Sequence, residues 1–246
     1  MIKYTLRMRC MKVKIEVWMD FTCPFCYIGK RKLDIALEKF QYEDFVKIEC
    51  KSYELAPNAA NQTNEKIHSV LMNKYGLTVD RAKEMMSRVE RQAEEVGILM
   101  NVDDLEHVNT LNAHRLVKYA EKQGRDDELI NLLFESYFTK NDNIADREVL
   151  IAIAKEANLD EQEVDALLCL NKYQKAVRMD EQLAEDLDIN GVPFFVFNEQ
   201  YALSGMQPVH VLLTVLEEIW QEEEPHVKNN PGEQCTTTYC TGDECE

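Results

Sequence analysis

The hydrophobic period changes twice along the chain, and that restricts the fold more than any other feature. Residues 12–18, KVKIEVW, alternate Val13, Ile15 and Val17 with charged residues, the period of a half-buried strand. A second alternating run follows at 46–53, and between the two, Leu33, Leu37 and Phe40 recur at helical spacing. From about residue 58 to 187 the helical period holds almost throughout, with predicted helices at 64–75, 78–96, 109–123, 126–138, 146–157, 160–168 and 171–187. Strand-like runs then return at 194–197 and 201–204, ahead of a last amphipathic helix at 209–221. The order is βαβ, a helical block, then ββα: an α/β domain divided by a large all-α insertion.

Local signals agree with these boundaries. Thr78, Asp146 and Asp160 stand where a helix N-cap belongs, Gly76, Gly97 and Gly124 punctuate helix ends, and Pro208 suits a first helical turn. The expected organisation is a discontinuous α/β domain at 12–57 and 188–221, an insertion at 58–187, and a tail at 222–246. The tail is acidic, contains Pro225 and Pro231, and lacks apolar periodicity, so it is expected to be loosely held.

At 246 residues the chain can bury a core without disulfide staples, and a net charge of -17 argues against nucleic-acid binding. No apolar run is long enough to span a bilayer. The first residues are basic but lack the apolar stretch of a secretory signal; residues before Met11 read as an extension with no assigned function. The chain is therefore expected in the cytosol, where its eight cysteines imply no disulfide framework.

Two of those cysteines sit at the first strand-to-helix turn, in DFTCPFCYIG. Cys23 falls at the helix N-terminus, where unpaired N–H groups and the helix dipole favour the thiolate, the nucleophile in disulfide exchange. Cys26, one turn further and more buried, is placed to resolve a mixed disulfide. Pro24 pre-sets the turn without costing a hydrogen bond. A zinc site needs a second ligand pair; there is no second CxxC, and nothing in the sequence brings His107 or His114 to Cys23. Two buried structural cysteines are the bland alternative, against which the strand–CPxC–helix context favours redox chemistry.

With Gly191-Val192-Pro193 ahead of a late apolar strand, DFTCPFCYIG resembles the thioredoxin superfamily, and the helical insertion resembles its DsbA branch. Ala113-His114-Arg115-Leu116, Tyr137-Phe138, the stretch NIADREVL at 143–150, VPFFVF and SGMQP narrow the resemblance. It is to cytoplasmic DsbA-like proteins of the FrnE type, relatives of 2-hydroxychromene-2-carboxylate isomerases and kappa-class glutathione transferases, over residues 12–221. The resemblance implies a thioredoxin-like fold, a cis Pro193, and a Val192 backbone that pairs with an extended substrate. Phe25 stands where these families more often carry Trp or His. A neutral ring supplies no imidazolium charge to hold the thiolate, so the expected potential lies between about -270 and about -120 mV. The isomerase and transferase relatives tend to use Ser near the Cys23 position; keeping both cysteines favours dithiol chemistry.

The expected activity is that of a cytosolic thiol–disulfide oxidoreductase or isomerase on protein or peptide thiols. Cys23 and Cys26 are its catalytic residues, and Pro24, Phe25, Val192 and Pro193 position the substrate. The alternatives are a glutathione-dependent isomerase or transferase and a redox-switched chaperone or binding module. No bound cofactor or metal is expected; glutathione or another thiol system would exchange electrons. Cys50 and Cys169 read as small core residues, and His114 and Arg115 as structural. Trp18 and Asp20 precede the motif closely enough to shape it, Asp20 with a cap or surface role at least as well supported as proton transfer. In the tail, Cys235, Cys240 and Cys245 repeat a C-x4-C spacing, open to exchange with the CPFC pair, to metal binding or to no role. Oligomeric state is not legible.

Overall fold

The computed structural model describes residues 13–63 and 65–229. Four strands, β1 (Val13–Met19), β2 (Val46–Ser52), β3 (Phe194–Phe197) and β4 (Tyr201–Ser204), form one sheet in the order β2-β1-β3-β4. β1 runs parallel to β2 and antiparallel to β3, and β4 is an antiparallel edge strand. Helix α1 (Pro24–Lys39) supplies the crossover that the parallel pair requires. Seven helices separate β2 from β3: α2 (Ile67–Tyr75), α3 (Val79–Glu94), α4 (Leu111–Gln123), α5 (Asp126–Phe138), α6 (Arg147–Glu156), α7 (Glu161–Cys169) and α8 (Gln174–Asp186). Helix α9 (Val209–Asn229) packs beside α1 and against β1.

The start signals act as their chemistry demands. Thr78 accepts the Arg81 amide proton, and the Asp146 and Asp160 carboxylates each accept two amide protons of the first turns of α6 and α7. Gly76 and Gly124 close α2 and α4 in the left-handed conformation, at φ of 62° and 65°.

Two expectations are corrected by packing. β1 is not half-buried: Val13, Ile15, Val17, Trp18 and Met19 are all buried, because β1 is flanked by two strands and has helices over both faces. Its Glu16 tolerates that position by pairing with Lys14 and Lys51 on the sheet. The last helix does not stop at Gln221 but continues to Asn229, into the segment expected to be loosely held. The tail cysteines Cys235, Cys240 and Cys245 lie outside the described residues, as do Cys10 and Lys12.

The helical block is fastened to the sheet by polar contacts as well as apolar ones. Lys118 of α4 reaches the Asp180 carboxylate of α8 and the Cys50 carbonyl of β2, both at 2.6 Å. Asp180 also accepts the Ser52 amide proton at 2.8 Å. Lys30 of α1, buried, pairs at 2.7 Å with Asp34 and with Asp127 of α5. An aromatic seam continues that junction: Tyr27 stacks on Phe134 at 5.0 Å, and Phe21 lies 5.2 Å from Phe134 and 4.8 Å from the His114 ring.

Candidate active site

The end of β1, the start of α1 and the turn before β3 converge on Cys23. Cys23 is the N-cap of α1 in extended backbone, with Pro24 the first helical residue, so the Cys23 sulfur sits at the positive end of the helix. Its amide donates to the Asp20 carbonyl at 3.1 Å, and its carbonyl accepts from the Cys26 amide at 3.0 Å, fixing both ends of the turn. Cys23 is 5% exposed and Cys26 1%, and both are free thiols. Burial pushes the Cys26 thiol well above its ordinary value, and the adjoining Cys23 sulfur adds to the shift, while a backbone hydrogen bond from Asp20 opposes it. A buried thiol of this kind stays protonated and inert until its proton is taken.

The Val192–Pro193 peptide is cis. The Val192 carbonyl stands 3.6 Å from the Cys23 sulfur, so the main chain that precedes β3 borders that thiol directly. Helix α1 comes this close to that loop because residue 29 is glycine. A β-carbon there would lie 3.1 Å from Pro193 Cγ and 3.5 Å from Phe195 Cζ. Phe25 is partly exposed and packs between two apolar clusters, one from the sheet and one containing Val89 and Ile98. On the other side of the cis turn, Asn190 and Ile189 help line a cleft of about 470 Å³ with Tyr53, Glu54 and Arg178. Arg178 donates to Glu54 and Glu181, each at 2.5 Å.

A family model described as the DSBA-like thioredoxin domain matches residues 14–217. The chain belongs to that family. It is 32% identical to the probable DsbA oxidoreductase SCO1869 from Streptomyces coelicolor, with a TM-score of 0.82 over 95% of this chain and 98% of that one. It is 26% identical to YwbO of Bacillus subtilis over 193 residues, covering 77% of this chain and 88% of the relative. A 2-hydroxychromene-2-carboxylate isomerase is alike in fold, with a TM-score of 0.67 at 14% identity over 87% of this chain and 98% of that one. DsbA oxidoreductases and this isomerase fold thus both lie among its structural neighbours, and the DsbA-like fold is that of a thiol oxidoreductase family.

Within this DsbA-like protein, the residues beneath the motif differ most from the sequence reading. Asp20 is neither at the surface nor the cap of α1: it is fully buried, and its carboxylate accepts the Leu55 amide proton at 2.7 Å and the Thr22 amide proton at 3.3 Å. Burial alone would raise its carboxyl, but the neighbouring His114 ring, the Leu55 amide and Thr110 outweigh that and hold it below the usual range. His114, which no sequence pattern connects with the CPFC turn, lies 3.8 Å from Asp20 through Nε2. Arg115 is structural as expected, because its guanidinium donates to the carbonyls of Leu167, Leu170 and Lys172 at the end of α7 and just beyond.

Trp18 is buried, its indole N–H donating to the Asp180 carbonyl at 3.1 Å. Of the two remaining described cysteines, Cys50 is buried, and burial pushes its thiol up to about 12. Cys169, read as a core residue, is exposed, because it ends α7 on the side away from the buried Val164 and Leu167. Among the described residues, no group of three or more His, Cys, Asp or Glu side chains is arranged to hold a metal ion. No helix of the described residues is long and apolar enough to cross a membrane.

Proposed function

We propose that the protein is a cytosolic thiol–disulfide oxidoreductase or isomerase that acts on protein or peptide thiols through Cys23 and Cys26. The observation that carries this reading is the placement of the Cys23 sulfur, at the N-terminus of α1 and 3.6 Å from the Val192 carbonyl. In this reading the Cys23 thiolate attacks a substrate disulfide, releasing one substrate thiol and leaving a mixed disulfide. Cys26 then attacks the Cys23 sulfur, so that the second substrate thiol leaves and a Cys23–Cys26 disulfide forms. Oxidation of a substrate dithiol is the same sequence reversed. The Val192 backbone offers polar groups to an extended peptide, while Pro24, Phe25 and Pro193 shape the surface on which it lies. Glutathione or another thiol system restores the starting redox state.

Retention of a sulfur at both positions favours this reading over glutathione-dependent isomerisation of a small organic molecule, which needs no resolving thiol. The test is a Cys26→Ser variant exposed to disulfide-containing protein substrates, with mass-spectrometric mapping of the adducts. Mixed disulfides on Cys23 are the expected product, together with insulin reduction or refolding of scrambled ribonuclease by the unaltered protein. Glutathione-dependent turnover of an aromatic substrate, with no protein adduct on Cys23, would overturn the proposal.

A further inference from the structure

A substrate cysteine joined to Cys23 must lie beside the Val192 carbonyl, which stands 3.6 Å from that sulfur. From there the surface leads into the cleft of about 470 Å³. Val192, Tyr53 and Ile189 pack in one apolar cluster around the buried Trp18, and Tyr53 and Ile189 are also walls of the cleft. Asn190, another lining residue, precedes Val192 by two positions, so at most about 7 Å of chain separates them. In an extended substrate, the residue two places from the cysteine stands about 7 Å from it and projects to the same side. With the cysteine turned toward Cys23, that side chain meets the cleft.

The cleft is built for one sign of charge. Arg178, its cation, is already held, donating to Glu54 and Glu181, each at 2.5 Å. The Glu54 side chain is fully buried and also accepts from Asn109 at 3.4 Å, while its amide donates to Glu181 at 3.3 Å. Glu185 and Asp188 differ: both are exposed at the cleft, and among the described residues neither pairs with a cation. The turn that ends α8 fixes them, the Asp188 amide donating to the Glu185 carbonyl at 3.0 Å and the Ile189 amide to the Ala184 carbonyl at 2.8 Å. A second feature has the same sign. The C-terminal end of a helix carries partial negative charge that a cation offsets, and the last turn of α8 contains no basic residue. Tyr53 and Ile189 add an aromatic and an apolar wall suited to an aliphatic stem that ends in a charge.

We propose that this cleft is a specificity pocket for a Lys or Arg side chain two residues from the reacting cysteine of the substrate polypeptide, with Glu185 and Asp188 as its counter-ions. The proposal rests on the dithiol reading above and narrows its substrates to cysteines in basic sequence. The stem of the basic side chain lies along Tyr53 and Ile189, and its charge reaches the end of α8. An acidic side chain at the same place meets the same carboxylates as repulsion, so the pocket selects in both directions.

Short peptides with one cysteine, joined through a disulfide to a coloured aryl thiol, test this with the reduced full-length protein. Attack by the Cys23 thiolate on the peptide sulfur forms the mixed disulfide and releases the aryl thiolate, whose colour gives the second-order rate constant. Lys is placed two residues before or two residues after the cysteine. One of these two peptides should react about tenfold faster than its Met counterpart, and the Glu counterpart about tenfold slower. Moving that Lys next to the cysteine keeps the charge of the peptide but turns the side chain to the opposite side, and the advantage should vanish. Glu185→Gln with Asp188→Asn should bring the Lys-to-Met ratio to about one; Asn suits the left-handed backbone of residue 188, at φ of 55°. Equal rates for the Lys, Met and Glu peptides would overturn the proposal. So would an advantage that persists in the double variant or with Lys adjoining the cysteine, since either marks long-range attraction to a chain of net charge -17. Absence of aryl thiolate release from every peptide, or release that continues in Cys23→Ser, would instead refute the dithiol reading.

Discussion

Replacing Lys118 by Met tests how the helical insertion is held to the sheet. The Lys118 ammonium sits 2.6 Å from the Asp180 carboxylate and 2.6 Å from the Cys50 carbonyl, with 9% and 12% of the Lys118 and Asp180 side chains exposed. Met fills nearly the same volume but leaves the Asp180 carboxylate with the Ser52 amide as its main partner and strips the Cys50 carbonyl of its lysine donor. Removing one member of a buried pair costs about 3–5 kcal/mol, most of it the penalty of a charge left uncompensated. At about 2–4 °C per kcal/mol for a chain of this size, the melting temperature should fall by about 6–20 °C. Urea denaturation with an unchanged slope should report the same loss. Lys118→Met with Asp180→Leu removes both charges and leaves the Ser52 N–H and the Cys50 carbonyl without these side-chain partners, at about 1–3 kcal/mol each. The indole of Trp18 is untouched, because its acceptor is the Asp180 main chain. The double variant should therefore be less destabilised than the sum of the two single ones by about 0.5–3 kcal/mol. A loss below about 1 kcal/mol for Lys118→Met, or strict additivity, would refute the claim that this contact is a desolvated pair rather than a surface one.

Two further outcomes follow from the same contacts. Gly29→Ala places a methyl group 3.1 Å from Pro193 Cγ, so α1 and the loop before β3 must separate; a stability loss of about 1–3 kcal/mol and a slower attack by Cys23 are expected, and unchanged values of both would show that the loop yields freely. Burial works against ionisation of Glu49, yet the Lys47 hydrogen bond and the charges of Lys14, Lys47 and Lys51 hold its carboxyl down to about 2 from an ordinary 4.5. A depressed carboxylate contributes stability that is complete above 4.5 and lost as pH falls through about 2. The difference in urea midpoint between wild type and Glu49→Gln should accordingly shrink over that window, and a constant difference would contradict the assignment.

The sequence alone determined the order of elements, because hydrophobic period is a local property of a strand or helix. The two alternating runs became β1 and β2, the late strand-like runs became β3 and β4, and the caps Thr78, Asp146 and Asp160 sit where their side chains accept amide protons. It also placed the cysteine pair: a CPxC at a strand-to-helix turn puts one sulfur at the helix N-terminus whatever surrounds it. Tertiary structure decided what those elements meet. The alternation in β1 reads as one wet face, but strand order and the helices over it bury both faces. Cys169 lies in an apolar run, but α7 turns it outward. Asp20 and His114 are separated by most of the first strand-helix-strand unit and half of the insertion, and no period or spacing relates them. Only the folding of α4 against the sheet end of the CPFC turn brings an imidazole to the buried carboxylate. Local pattern fixes which residues share a face; the energetic fate of a buried charge depends on partners that arrive from elsewhere in the chain.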